Sequence, residues 1–239
     1  MNLVVDVGNS FTKIGLFEGN DLVSQQKKNN MEEVLLYIHK QQPENLIIAS
    51  VAAYTELLEK QIGNKIKTLF FNAETPVPIN NKYDTPETLG SDRLAAAVAA
   101  NFLFPRENTL SIDIGTCITY DLVDKTGTYL GGAISPGVAM KFKALNTFTT
   151  RLPLIEATGK ADLIGKTTRD SILSGVLNGT LAEIEEIINQ YSNNFNNLKI
   201  IICGGDAYFF ESRIKATIFV VPELVLIGLN RILQYNVSP

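Results

Sequence analysis

An apolar strand that ends in an aspartate directly before a glycine turn occurs twice in this chain. That repetition constrains the fold more than any other feature. The first copy is "VVDVGNSFTK" (4–13), where the apolar run ends at Asp6 and a Gly8-Asn9-Ser10 turn leads into a second run. The second is "SIDIGTCITY" (111–120), with Asp113, Gly115 and Thr116 in the corresponding places. Around each copy the same elements recur. Residues 2–7 are valine-rich, as a buried central strand is. Residues 11–18 read as a second strand, Gly19-Asn20 as a turn, and 21–27 as a third strand. A helix over 31–41, a strand over 45–50, a helix over 54–65 and a strand over 66–71 follow. In the second half, "TLSIDIG", "CITYDLV" and "TYLGGAI" give three strands. After a long helical stretch, 198–205 reads as a strand, 206–214 as a helix, 217–221 as a strand and 223–235 as a last helix. The pattern predicts an α/β protein of two duplicated domains with mixed sheets. The expected division is 1–105 and 106–239, at the "FPREN" that follows an alanine-rich helix (92–104).

Composition narrows the function classes. The net charge of −4 and pI of about 5.2 argue against a nucleic-acid or anionic-membrane partner. The single histidine, His39, lies in a polar helical stretch, and no Ser-His or Cys-His triad surrounds it. Cys117 and Cys203 sit in apolar runs and read as buried, reduced packing residues. No basic-then-apolar leader and no membrane-length apolar run is present, so a cytoplasmic soluble protein is expected.

The two turns have the parts of anion sites. Gly8 lets a phosphate approach the backbone without a Cβ clash, Ser10 and Thr12 offer hydroxyl donors, and Lys13 offers a positive charge. Asp6 would repel a phosphate directly but is well placed if a hydrated Mg²⁺ lies between them. Asp113, Gly115 and Thr116 repeat the set, so two turns facing across a cleft would grip a triphosphate from both sides. An ordinary pair of hairpins has the same Asp and Gly as turn formers. "GKADLIGKTT" (159–168) resembles a P-loop, but five residues separate Gly159 from Gly165 where the pattern needs four, and no clean strand precedes it.

A third constellation lies in "YDTPETLGSDRLAAAVAAN" (83–101). Ser91 or Asp92 can be a simple helix cap. Alternatively, Asp92 is a base for an attacking hydroxyl, at a helix N-terminus that favours negative charge. Arg93 can orient a polar substrate or Asp92 itself. Ser135 and Pro136 in "AISPGV" read as the N-cap and first residue of a further helix.

Five motifs, "DVGNS", "YDTPETLGSDR", "DIGTCITYDLV", "YLGGAISPG" and "GKTTRDSILSG", occur in this order. Together they resemble the type III pantothenate kinases, over nearly the whole chain. The resemblance implies paired ribonuclease H-like domains of the actin-like ATPase superfamily with an interdomain cleft. It implies ATP-dependent phosphorylation of pantothenate to 4′-phosphopantothenate, the first step of coenzyme A synthesis. By the same resemblance, Asp6, Val7, Gly8, Asn9, Ser10, Phe11, Thr12 and Lys13 form the ATP phosphate loop, and Thr116 is a further ATP contact. Asp92 is the proton acceptor within a pantothenate-binding Gly90-Ser91-Asp92-Arg93, and Tyr83 and Thr168 are further pantothenate contacts. Asp113 is a ligand of a monovalent cation (K⁺ or NH₄⁺), ATP carries Mg²⁺, and the protein is a homodimer. Thr85 and Ser91 depart from the family's usual Asn and small apolar residue. Tyr83 as a half-buried loop aromatic and Thr168 as a helix cap remain ordinary alternatives. A non-catalytic regulator on the same scaffold, or a sugar kinase of the superfamily, are the competing functions.

Overall fold

A computed structural model describes residues 1–8, 11–50, 58–62, 66–156, 159 and 161–237. The first sheet begins with β1 (Asn2–Val7), β2 (Thr12–Glu18) and β3 (Asp21–Lys28), an antiparallel meander. Helix α1 (Met31–Gln41) then returns the chain to β4 (Asn45–Ala49), which lies parallel to β1. Asn30 caps α1 by accepting from the Glu33 amide. Residues 58–62 are helical (α2), and β5 (Lys67–Phe71) adds in parallel to β4. The remainder of the helix expected over 54–65 falls outside the described residues. The strand order is β3-β2-β1-β4-β5.

The second sheet repeats this order. Strands β7 (Thr109–Ile114), β8 (Cys117–Val123) and β9 (Thr128–Pro136) precede β10 (Lys199–Cys203) and β11 (Ile218–Val220). The order is β11-β10-β7-β8-β9, with β10 parallel to both β7 and β11. Duplication is therefore visible strand for strand. A two-residue strand absent from the sequence expectation, β6 (Asn80–Asn81), pairs with Thr128 and Tyr129 at the start of β9. Helices α3 (Ser91–Leu103), α4 (Val138–Thr147), α5 (Thr168–Asn194), α6 (Ala207–Glu211) and α7 (Leu224–Val237) complete the chain.

The chain divides into two compact units. One contains Met1–Arg106, Thr126–Leu130 and Glu223–Pro239; the other contains Glu107–Lys125 and Gly131–Pro222. The expected division after residue 105 falls one residue from the first of these breaks, and α7, which that expectation placed with the second half, packs in the first unit. Packing gives the reason. Gly228 of α7 presses on α3 so closely that a Cβ would sit 1.8 Å from the Ala95 carbonyl oxygen. Asn230, buried in α7, accepts from the Asn2 side chain (3.0 Å) and donates to the Gly19 carbonyl (2.9 Å). Asn2 in turn accepts from Asn45, so one polar ladder ties α7, β1 and β4.

Strand alternation sets the faces. Leu3, Val5, Ile14 and Leu16 point into a core closed by Val34, Ile38, Leu58 and Ile62. The opposite face carries Val4, Gly15 and, at the strand ends, the paired Asp6 and Lys13; Gly15 there approaches Leu226 of α7. In the second unit Leu110, Ile112 and Ile114 join Phe142 of α4 and the Ile172–Val176–Ile184–Ile188 stripe of α5.

Candidate active site

The first turn is built by β1 and β2. Asp6 lies directly opposite Lys13, and Val7 opposite Thr12, so the acid and the lysine share a face at the end of the hairpin. Gly8 is tight: a Cβ would lie 3.1 Å from the Phe11 carbonyl. Thr12 is buried. The Phe11 ring lies near two cations, with Lys13 Nζ 5.9 Å and Lys27 Nζ 4.7 Å from its centroid. Lys27 stands directly opposite Lys13 on β3, so the turn is flanked by two adjacent positive charges. Asn9 and Ser10 lie outside the described residues.

The second turn lies at the carboxyl end of β7. The Gly115 amide donates to the Cys117 carbonyl (3.0 Å), closing the turn between β7 and β8. The Gly137 amide donates to the Thr116 carbonyl (3.1 Å). Asp113 pairs in register with Cys203 of β10, so the residues following β10 meet it. Gly204 adopts φ +94°, and a Cβ there would lie 2.4 Å from both Asp113 Oδ1 and the Ile114 carbonyl oxygen. The Asp206 amide donates to that Ile114 carbonyl (2.9 Å). Burial pushes the Asp206 carboxyl above its ordinary value. Gly204 and Asp206 thus join Asp113 and Thr116 at one end of the sheet. In the sequence this corner is marked only by a Gly204-Gly205 pair after an apolar strand, which an ordinary strand-to-helix turn also contains.

The third constellation assembles in the first unit. The N-cap of α3 is Gly90, with no side-chain capping bond, so neither Ser91 nor Asp92 caps the helix. Asp92 is exposed, and its Oδ1 accepts from the Arg93 amide at 2.8 Å. Arg93 is buried with its guanidinium carbon 5.6 Å from the Tyr83 ring centroid. Tyr83 stacks on Tyr129, with centroids 6.1 Å apart, and its amide donates to Asn81 Oδ1. β6 therefore fixes Tyr83 beside the start of α3. Tyr129 was not foreseen, because only the β6–β9 pairing brings it there.

Thr168 lies in the second unit as the first residue of α5. The cap is Thr167, whose hydroxyl accepts from the Asp170 amide (3.1 Å) and donates to its carboxylate. Thr168 helps to line a hollow of about 560 Å³ with Leu152, Gly165, Lys166 and Ser171. The expected N-cap at Ser135 is also displaced: Pro136 ends β9 and Gly137 caps α4. Ser135 is drawn instead to Glu183 of α5, to which its hydroxyl donates.

Solved structures with this topology include a Campylobacter jejuni protein assigned provisionally to the Baf family of transcriptional activators. It is 22% identical, with a TM-score of 0.67 over 98% of both chains. An inorganic polyphosphate/ATP-glucomannokinase from Arthrobacter sp. strain KM aligns over 98% of both chains at 11% identity, with a TM-score of 0.55. At these identities the likeness shows the fold alone, and that fold is the two-domain actin-like one. Sequence relatives are much nearer. A type III pantothenate kinase of Cytophaga hutchinsonii is 45% identical over 99% of this chain and 100% of its own. One of Phocaeicola vulgatus is 43% identical over 99% of each. A profile of the type III pantothenate kinases matches residues 2–190, which span both Asp-Gly turns and the start of α3, so the chain belongs to the type III pantothenate kinase family.

Proposed function

We propose that this protein transfers the γ-phosphoryl group of ATP to the hydroxyl of pantothenate, giving 4′-phosphopantothenate for coenzyme A synthesis. The observation that carries the reading is the start of α3, where an exposed Asp92 carboxylate stands beside the Arg93–Tyr83–Tyr129 stack. Family membership supports the choice of pantothenate over a sugar. Asp92 accepts the proton of the attacking hydroxyl. Gly90, Ser91, Arg93 and Tyr83 orient the substrate, so that positioning supplies most of the rate, as phosphoryl transfer allows. Residues 6–13 and Thr116 bind ATP.

Among the described residues no group of three or more His, Cys, Asp or Glu is placed to hold a metal by itself. The donor sets suit shared ligation instead. Asp6 would hold Mg²⁺ through water while the phosphates complete its shell, and the ion would neutralise charge that develops on the transferred group. Asp113, in the cradle that a Cβ at Gly204 would fill, would hold a monovalent cation. A homodimer belongs to the same reading: Leu154, Leu163 and Ile164 are 62%, 81% and 75% exposed, an apolar surface that a second copy would cover. Thr168, close by in sequence, is the pantothenate contact of that reading. We place the reaction in the cytoplasm; among the described residues no helix is long and apolar enough to cross a membrane. The net charge of −4 supports a protein without a nucleic-acid partner.

The test is ADP release with pantothenate, N-acetylglucosamine or no acceptor, with and without K⁺, for wild type and Asp92→Asn. Pantothenate-dependent turnover that the substitution abolishes, with ATP binding retained, is expected. Turnover of the sugar alone would make the protein a sugar kinase, and turnover of neither acceptor would favour a regulator. Full activity of Asp92→Asn would refute the role of the carboxylate.

A further inference from the structure

Glu183 lies on α5, outside all three constellations, yet it is the hub of a polar cluster in the second unit. Its Oε1 accepts from the Ser135 hydroxyl and from the Tyr120 hydroxyl (3.1 Å), and its Oε2 accepts from Lys141 Nζ (2.7 Å). Lys141 also donates to Thr180 (2.9 Å), one turn earlier on α5. Both charged side chains are about three-quarters covered, at 22% and 26% exposure. Charge-assisted bonds in such a setting are stronger and more orienting than exposed pairs.

Two of the three residues gripped by Glu183 flank Gly137. Ser135 precedes it by two positions, and Lys141 follows in the first turn of α4, where its amide donates to the Gly137 carbonyl (2.9 Å). Gly137 is the piece that touches the second phosphate turn. Its amide donates to the Thr116 carbonyl, and a Cβ on it would lie 2.1 Å from the Gly115 oxygen and 2.5 Å from that of Thr116. No slack separates the clamp from the turn.

We infer that Glu183 is a positioning residue for ATP: by holding Ser135 and Lys141 it fixes Gly137, and through Gly137 the backbone of Thr116. The inference rests on the reading of Thr116 as an ATP contact. Tyr120 provides an internal control. Its hydroxyl donates to the same oxygen as Ser135, but it sits in β8 and lies outside the 135–137 segment.

The experiment compares Thr116→Ala, Ser135→Ala, Glu183→Gln and Tyr120→Phe in the full chain, by steady-state kinetics and thermal melting. Thr116→Ala, Ser135→Ala and Glu183→Gln are each expected to raise KM for MgATP by about tenfold, the scale of lost supporting contacts. KM for pantothenate should stay within about twofold. Tyr120→Phe should lower Tm while leaving KM for MgATP within about twofold. Ser135→Ala keeps the test open if Glu183→Gln folds poorly. An unchanged KM for MgATP in Ser135→Ala, beside a raised one in Thr116→Ala, overturns the inference alone. So does a Tyr120→Phe variant that raises KM for MgATP as much as Ser135→Ala. No change in Thr116→Ala overturns the nucleotide role of the turn, and the inference with it.

Discussion

Replacing Gly90 with alanine should cost catalysis while sparing the fold. The backbone at Gly90 is φ −58°, ψ 134°, which any residue adopts, so the change introduces no backbone strain. The new Cβ would stand 2.5 Å from Asp92 Oδ1. Real Cβ contacts essentially never fall below 3.0 Å and ordinary ones begin at 3.4 Å, so the carboxylate must move by roughly 0.5–0.9 Å at the least. That motion also loosens its bond to the Arg93 amide. A displacement near 1 Å in a positioned catalytic group costs about 10²-fold, and half of it a smaller factor, so kcat should fall by about 10- to 100-fold. Alanine is a poorer N-cap than glycine by less than about 1 kcal/mol, which bounds the stability loss. Pantothenate-dependent ADP release gives kcat, and a thermal melt reports the fold. A kcat within about twofold of wild type at unchanged Tm would mean that the position of Asp92 does not matter, and the base assignment would fall.

Asn230→Ala should be the more damaging change to the fold. It leaves the Asn2 amide group without its buried partner, while the Gly19 carbonyl keeps the Gln234 amide as a donor (2.6 Å), a loss of about 1–3 kcal/mol that calorimetry would show as a lower Tm. Burial alone would raise the Glu183 carboxyl, but its Lys141, Ser135 and Tyr120 donors outweigh burial and hold it below its ordinary value. A depressed carboxyl adds stability that is complete above its unfolded pKa and lost as pH falls through the folded one. The Tm difference between wild type and Glu183→Gln should thus be constant near neutrality and shrink below about pH 4.3; a gap that widens in acid would contradict this.

The elements that the sequence announced are those whose signal is local. β1 and β7 are apolar runs between turns, α1 has its Asn30 cap, and α3 follows a Gly-Ser-Asp start. The duplication was legible because the order of elements and the Asp-x-Gly punctuation survive sequence divergence. Long-range pairing was not. β6 is two residues whose only strand-like property is a partner in β9. The N-cap of α4 falls at Gly137 because Glu183, far along the chain, claims Ser135 and the Thr116 carbonyl claims the Gly137 amide. Asp206 joins Asp113 only through the register of β10 on β7. In each case a local propensity lost to a contact that sequence spacing does not encode.

The ladder from Asn45 through Asn2 to Asn230 also orders events in time. The bond between Asn2 and Asn230 spans 228 positions, nearly the length of the chain. During synthesis the first sheet therefore emerges early with one face uncovered. The seal that α7 provides leaves the ribosome long after it, by the 228 positions that separate Asn2 from Asn230. The second unit lies wholly within that interval and can complete its core before the first does. Closing the first unit over so long a separation carries a large share of the chain's non-local contact order, which slows folding. Truncating the last helix would strand the early half of the protein with an apolar sheet face open to aggregation.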